Sequence, residues 1–350
     1  MNSELSIKGH SPRLPIIQGG MAVGISLDGL SSAVANAGGV GVIATAGLGM
    51  ITREKRVDFG RAYIEELIRI IRAARRKTDG IIGVNIMVAL SNYRELVMSA
   101  IKEKVDVIFS GAGLPLNLPS YLTEGSRTAL VPIVSSLRSA SVVFRRWLGK
   151  WGYIPDAFVV EGPKAGGHLG YREEDLDSEE VALEKTLPAV RELTDEIEKK
   201  YGKRVPIIAA GGIVDSADVD RVMSLGASGV QVGTAFVATE ECDADIGFKE
   251  AIISAAKEDV VIIRSPVGLP GRAVINDFLR DVGAGEKKPF NCPYHCIVTC
   301  DFREAPYCIA RALINASKGN LKEGFAFAGS EAYRINKITT VSEVMKRLTG

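Results

Sequence analysis

Val205-Pro-Ile-Ile-Ala-Ala-Gly-Gly212, then Ser216–Leu225, then Gly229-Val-Gln-Val-Gly-Thr234, reads as strand, glycine turn, helix, strand, glycine turn. The strand-like runs are continuously apolar rather than alternating. That is the pattern of parallel strands buried on both faces. Asp215 or Ser216 supplies an N-cap for the helix between them. Repeated around a ring, this unit makes a parallel barrel with helices outside.

The same alternation extends back through the chain. Further candidate strands are Leu14–Gly20, Val40–Thr45, Ile81–Met87, Val105–Ser110, Leu130–Ser135 and Ala157–Glu161. With Val205–Gly211 and Gly229–Thr234 they number eight. Helical patterns lie between them, among them Asp58–Arg76 and Glu179–Tyr201. Eight strands with intervening helices predict an α/β fold, a (β/α)8 TIM barrel. The competitor, a doubly wound sheet, needs a phosphate-binding glycine turn between its first strand and first helix. Gly39-Val-Gly41-Val-Ile-Ala44 has that spacing but leads into a strand, so it counts as a chance match. P-loop, H-E-x-x-H and G-x-S-x-G strings are absent.

The barrel is expected within residues 1–260, and residues 261–350 as an insertion with closing helices packed on it. In that tail Arg264–Asp281 reads as a loop entering a short helix, and Glu304–Lys318 and Val341–Leu348 read as helices. The 350 residues carry a net charge of +1 with mixed signs throughout, which leaves no basic footprint for nucleic acid. No apolar run is long enough to span a bilayer. Met1-Asn2-Ser3-Glu4 lacks the layout of a signal peptide, so a cytoplasmic protein is expected. The cluster Arg72–Lys77 reads as a solvated helix end. The expected partner is a small molecule, with a homodimer possible in principle and neither nucleic acid nor membrane involved.

Glycines and small polar residues cluster where the strands end: Gln18-Gly-Gly-Met21, Thr45-Ala-Gly47, Asn85, Ser110–Gly113, Ser135, Ala210-Gly-Gly212 and Gly233-Thr234. In a barrel these ends share one rim, where such enzymes carry their sites. Any one glycine there is explained by a tight turn. Six glycine clusters at six strand ends, counting the loop Ala165–Gly170, point to a shared ligand. The turns after the last two strands would expose N–H groups to a phosphate. The loop Ala165-Gly-Gly-His168-Leu-Gly170, after Glu161-Gly162, places an imidazole among glycines. His168 is one of three histidines, with His10 and His295, and the one best placed for proton transfer. His10 reads as a surface residue and Lys164 as an exposed loop lysine.

These motifs, in this order, together with Gly83-Val-Asn85-Ile-Met87, resemble the nitronate monooxygenases and equally their sister group, the flavin-type enoyl-acyl carrier protein reductases. The resemblance implies a barrel holding one non-covalent FMN. Gly20, Met21 and Ala22 would pack on its ring. Asn85 and Ser135 would edge it, and Thr45, Glu161, Gly166 and Gly167 are further candidate cofactor contacts. Ala210, Gly211, Gly212, Gly233 and Thr234 would hold its phosphate, and Gly329-Ser330 resembles the family's last flavin contact. By the resemblance His168 is the catalytic group. It would act on a nitronate or nitroalkane with O2 as oxidant, giving a carbonyl compound and nitrite. In the sister reaction NAD(P)H reduces FMN, hydride passes to the β-carbon of an enoyl thioester, and His168 would stabilise the resulting enolate or supply its proton. Two departures stand out. Pro163-Lys164 replaces an acidic residue often found before the histidine loop, and the tail from Cys292 onward is not shared by the family's best-studied members.

A different class stays open: a barrel that binds a phosphorylated metabolite without redox chemistry. It would want a lysine or carboxylate at a strand end, and Glu161 is the only such carboxylate. A flavin-binding protein without catalysis is the last option.

Cys292, Cys296, Cys300 and Cys308 lie close together in sequence, and Cys242 stands apart. The spacing C-x3-C-x3-C-x7-C matches no standard zinc or iron–sulfur string. If residues 296–300 are helical, Cys296 and Cys300 share a face. Three readings remain: buried thiols, a metal or iron–sulfur site, or a redox or thioester-handling group.

Overall fold

The structure is a computed structural model that describes residues 5–51, 59–286, 288, 290–292 and 294–350. The readings at Met1–Glu4 and at Asp58 lie outside the described residues.

Eight strands close into a parallel ring: β1 (Ile16–Gln18), β2 (Val40–Ala44), β3 (Ile81–Met87), β4 (Val107–Gly111), β5 (Ala129–Val134), β6 (Phe158–Glu161), then, past the short β7 (Gly167–His168), β8 (Ile207–Ala210) and β9 (Gly229–Val232). β9 pairs with β1 to complete the barrel. The expected strands are all present, each shifted or trimmed by a few residues at most. Val205–Gly211, for example, shortens to Ile207–Ala210.

The continuous apolar runs now have a cause. Ile17, Val42, Phe109, Val131, Val159 and Ile208 pack inside the ring. Their neighbours Ile16, Ile43, Ile108, Leu130, Val160 and Ile207 pack outward beneath the helices. Adjacent strand residues point to opposite faces, and both faces here are dry. Each such side chain contributes about 1.5–3 kcal/mol by leaving water.

The outer helices include Asp28–Asn36, Phe59–Lys77, Tyr93–Lys102, Leu137–Trp151, Leu183–Tyr201 and Ser216–Ser224. Asp215 caps the last of these through a reciprocal capping box with Asp218. The Gly39-x-Gly41 pair opens no phosphate turn. Gly41 sits in β2, where a Cβ would lie 1.8 Å from the Ser31 carbonyl oxygen. Its role is the close seating of helix Asp28–Asn36 on the sheet.

The tail differs from expectation in three places. The stretch read as a loop is a hairpin, β10 (Val260–Arg264) with β11 (Pro270–Val274), followed by helix Asp277–Gly283. β11 also pairs with β7 on its other side. Residues 296–300 form a bridge and turn rather than a helix, so Cys296 and Cys300 do not share a helical face. The helix expected from Glu304 begins at Ile309, because Pro306 cannot continue a helix and Cys308 is its N-cap. A separate apolar cluster of Val267, Phe278, Tyr307 and Phe325 underlies the tail. No helix among the described residues is long and apolar enough to cross a membrane.

Candidate active site

The C-terminal ends of the strands open into one cavity of about 540 Å³. Its inner wall is barrel: Gly20, Met21 and Ala22 after β1, Asn85 in β3, Ser135 after β5, Glu161 in β6. Gly166, Gly167 and His168 line it, as do Ala210, Gly211, Gly212, Gly233 and Thr234. The rim predicted from strand ends is therefore one surface. Two expected contacts are displaced from it. Thr45 does not line the cavity. It is fully buried, and its hydroxyl donates to the Asn85 carbonyl at 3.0 Å, holding that strand from behind. Ser330 also lies off the wall, while Gly329 and Glu331 on either side of it line the wall.

The turn after β8 suits an anion. Gly211 and Gly212 both take positive φ, 101° and 72°. Successive backbone groups in such a turn aim N–H groups into one concavity. A Cβ at Gly211 would lie 2.9 Å from the Ala165 nitrogen and 3.0 Å from the Gly162 carbonyl oxygen. The tail closes over this corner. The Gly329 N–H donates to Thr234 Oγ1 at 3.0 Å, and Arg334 reaches Asp215 and Asp218 at 2.5 and 2.9 Å.

His168 is held by the tail, not by the barrel. Its backbone pairs with Gly271 of β11. Its Nε2 lies 2.7 Å from Ser265 Oγ at the hairpin turn. Phe327 packs edge-on against the ring at 5.1 Å. Burial pushes the imidazole down to about 4, so it is neutral at physiological pH. With Nε2 engaged, Nδ1 is the ring nitrogen left for a ligand. To accept a proton there, the ring must carry hydrogen on Nε2 and donate it to Ser265 Oγ.

The histidine loop has a second anchor. Arg272 is almost fully buried and donates to the Pro163 and Ala165 carbonyls at 2.5 and 2.8 Å. Hydrogen bonds to a charged donor contribute about 1.5–3 kcal/mol each, which offsets its desolvation. Beside the loop, Tyr171 donates its hydroxyl to the Glu161 and Ser135 backbone carbonyls. Burial raises the Glu161 carboxyl to about 7. Lys164 faces Glu331 at 3.5 Å across the loop and is largely exposed. His10 is half-buried at the barrel's far end, with Nε2 3.2 Å from the Arg127 carbonyl oxygen.

Ser265, Arg272 and Phe327 were not read from the sequence. They lie 97, 104 and 159 positions beyond His168, and no motif marks them. Tyr63 was also missed. It lines the cavity, is almost fully buried, and its hydroxyl has no hydrogen-bond partner among the described residues.

The outer wall of the cavity is apolar, with Leu90, Ile297, Ile309 and Leu313 beside Cys296. Cys292, Cys300 and Cys308 lie outside it. Among the described residues no three His, Cys, Asp or Glu side chains converge where a single ion could sit.

Comparison with known proteins agrees with this geometry. The family model described as nitronate monooxygenase matches residues 4–100 and 89–350. A nitronate monooxygenase of Paraburkholderia phytofirmans is 28% identical over 91% of this chain and 87% of its own length. A (3aS,4S,5R,7aS)-5-hydroxy-7a-methyl-1-oxo-octahydro-1H-indene-4-carboxyl-CoA dehydrogenase of Mycobacterium tuberculosis is 27% identical over 78% of this chain. The match spans 66% of that protein's length. The solved structure of FabK from Thermotoga maritima superposes with a TM-score of 0.74 at 28% identity, covering 96% of this chain and 92% of that one. With nearly its whole length matched, this chain belongs to the nitronate monooxygenase family.

Proposed function

We propose that this chain is an FMN-dependent oxidoreductase that converts alkyl nitronates, with O2, to a carbonyl compound and nitrite. The observation that carries the reading is a neutral, rigidly held His168 on the wall of a cavity ringed by glycine turns.

The residues fit the flavin. The left-handed Gly211-Gly212 turn has no room for a side chain and presents N–H groups where the phosphate would bind. Gly19, Gly20 and Ala22, with Met21 among them, would form a wall of mostly small residues for a flat ring, edged by Asn85 and Ser135. Bound there, FMN would supply the electron transfer to and from substrate and O2.

The chain's own groups do the rest. His168 Nδ1 takes the α-proton of a neutral nitroalkane, and the imidazolium so formed is stabilised by the Nε2–H that it already donates to Ser265 Oγ. With a nitronate already ionised, the same ring orients the anion. The apolar outer wall of Leu90, Ile297 and Leu313 holds the alkyl chain and excludes water.

An anaerobic spectral titration tests this. The purified protein should show flavin absorbance that nitronate bleaches and NADH or NADPH does not. Bleaching by a nicotinamide, then reoxidation by an enoyl thioester, would assign the sister reaction instead. A colourless protein that takes up no FMN would overturn both.

A further inference from the structure

Tyr63 is a wall residue that the reaction above leaves unused. It stands near the start of helix Phe59–Lys77 and forms the buried stripe of that helix with Leu67, Ile70, Ile71 and Ala74. Its ring packs on Gly49, where a Cβ would lie 2.4 Å from the ring's Cδ2. Packing accounts for the ring, and a phenylalanine would serve as well. It does not account for the oxygen.

Tyr63 lines the cavity and is 4% exposed, and its hydroxyl has no hydrogen-bond partner among the described residues. The N–H of Gly47, another wall residue, faces the phenolic oxygen, which leaves the hydroxyl proton without an acceptor. Burial holds the phenol well above its ordinary pKa, so the proton stays on. A buried donor with no acceptor costs about as much as a lost hydrogen bond, and few native groups are left so. On the wall of a cavity, the missing acceptor is an atom of the ligand.

The surroundings say what kind of atom. Tyr63 lies within electrostatic reach of Cys296 and Cys308. Cys296 lines the cavity, and Cys308 caps the helix that brings Ile309 and Leu313 to it. Among the described residues Lys164 is the only lysine or arginine on the cavity wall, and it lies against Gly212 with its ammonium 3.5 Å from Glu331. A carboxylate at Tyr63 would therefore be a buried charge with no cation to meet it. A neutral carbonyl oxygen carries no such penalty. The hydroxyl is also apart from the histidine. Ser265, Gly271 and Phe327 hold His168, whereas Gly47 and Gly49 touch Tyr63, and the two sets share no residue. A molecule that meets both has a chain between its reacting carbon and its carbonyl.

We propose that Tyr63 is a specificity-determining residue whose hydroxyl donates to a neutral carbonyl oxygen on the substrate's chain, away from the carbon that reacts at His168. The reacting end rests on the nitronate reading, and the far end on Tyr63 alone.

Tyr63→Phe keeps the ring and removes the donor. The full chain and this variant, both with FMN added, are titrated with 2-heptanone by calorimetry. The ketone should bind the variant about tenfold more weakly, the loss of one neutral hydrogen bond. Hexanoate should bind the parent more weakly than the ketone does. FMN affinity should not change, and the melting temperature without ketone should hold or rise, because the variant buries no orphan hydroxyl. In infrared difference spectra the carbonyl stretch of labelled 2-heptanone should fall on binding the parent. Failure of the parent to bind the ketone, or equal ketone affinity in both proteins, would overturn the proposal. So would hexanoate binding tighter than the ketone, or a loss of FMN affinity as large as that for the ketone, which would put the hydroxyl on the flavin. An unshifted carbonyl stretch in the parent would overturn it whether or not the variant folds. None of these readouts needs turnover, so the nitronate reading and the role of Tyr63 fail separately.

Discussion

The two walls of the cavity were made in different ways. The barrel wall is local: each glycine turn follows its own strand and precedes its own helix, as at Ala210-Gly211-Gly212 before the Asp215 cap. The tail wall is remote: Ser265, Arg272 and Phe327 come back across 97 to 159 positions to grip one histidine and its loop. The barrel wall is built of strand ends and glycine turns. The tail wall fixes the ring of His168, whose burial keeps it neutral.

That division can be broken most sharply at Gly211. Gly211→Val forces a side chain into a left-handed turn and against the Ala165 nitrogen. It should abolish flavin uptake, read as absorbance after incubation with FMN, while circular dichroism still shows the barrel. Full flavin occupancy would mean that the phosphate turn lies elsewhere.

His168→Ala separates the walls next. Flavin occupancy should stay, and turnover of nitronate or nitroalkane should fall by about two to four powers of ten. Turnover equal to the unmodified chain would remove His168 from the chemistry.

Ser265→Ala asks whether the tail acts through the histidine. Turnover of neutral nitroalkane should fall about tenfold, within the range for loss of a hydrogen bond to a charged group. Turnover of preformed nitronate should change less, because no proton then passes to Nδ1. The acid limb of the pH profile should also move. Burial holds the imidazole near 4, and loss of the Ser265 oxygen removes an acceptor for imidazolium, shifting the limb further down. Equal losses with both substrates would make Ser265 a packing residue only.

Glu161→Gln is the mildest test. The carboxyl is neutral below about 7 and anionic above it. Repulsion should therefore raise KM for an anionic nitronate several-fold as pH rises through 7. The Gln variant should lack that rise, and a KM curve identical to the parent's would place the carboxylate out of the anion's reach.

The barrel was legible because its signals are short-range. A dry strand must be apolar on both faces, a strand-to-helix turn wants glycine, and a helix start wants a cap such as Asp215. These rules located His168, Asn85 and the Gly211 turn without any three-dimensional knowledge. The strand-end rule put Thr45 at the rim and the family resemblance named Ser330, yet neither lines the cavity, because a position beside the rim does not say which side of the backbone faces inward. The hairpin 260–274 was read as a loop from Arg264 onward for a related reason. Gly268, Pro270 and Gly271 are turn residues by local preference, and only pairing with His168 and Gly167 makes the second strand stable.

By itself the sequence determined the ring of eight strands, the glycine turns at their ends, the one histidine among them, and the family. Those follow from hydrophobic periodicity and backbone stereochemistry, which act over a few residues. The tertiary structure alone decided that Ser265 engages Nε2, that buried Arg272 pins the histidine loop, and that the tail brings Cys296 to the cavity wall. Those contacts join positions whose sequence separation carries no periodic signal, and they exist only once the apolar cores have brought the tail onto the barrel.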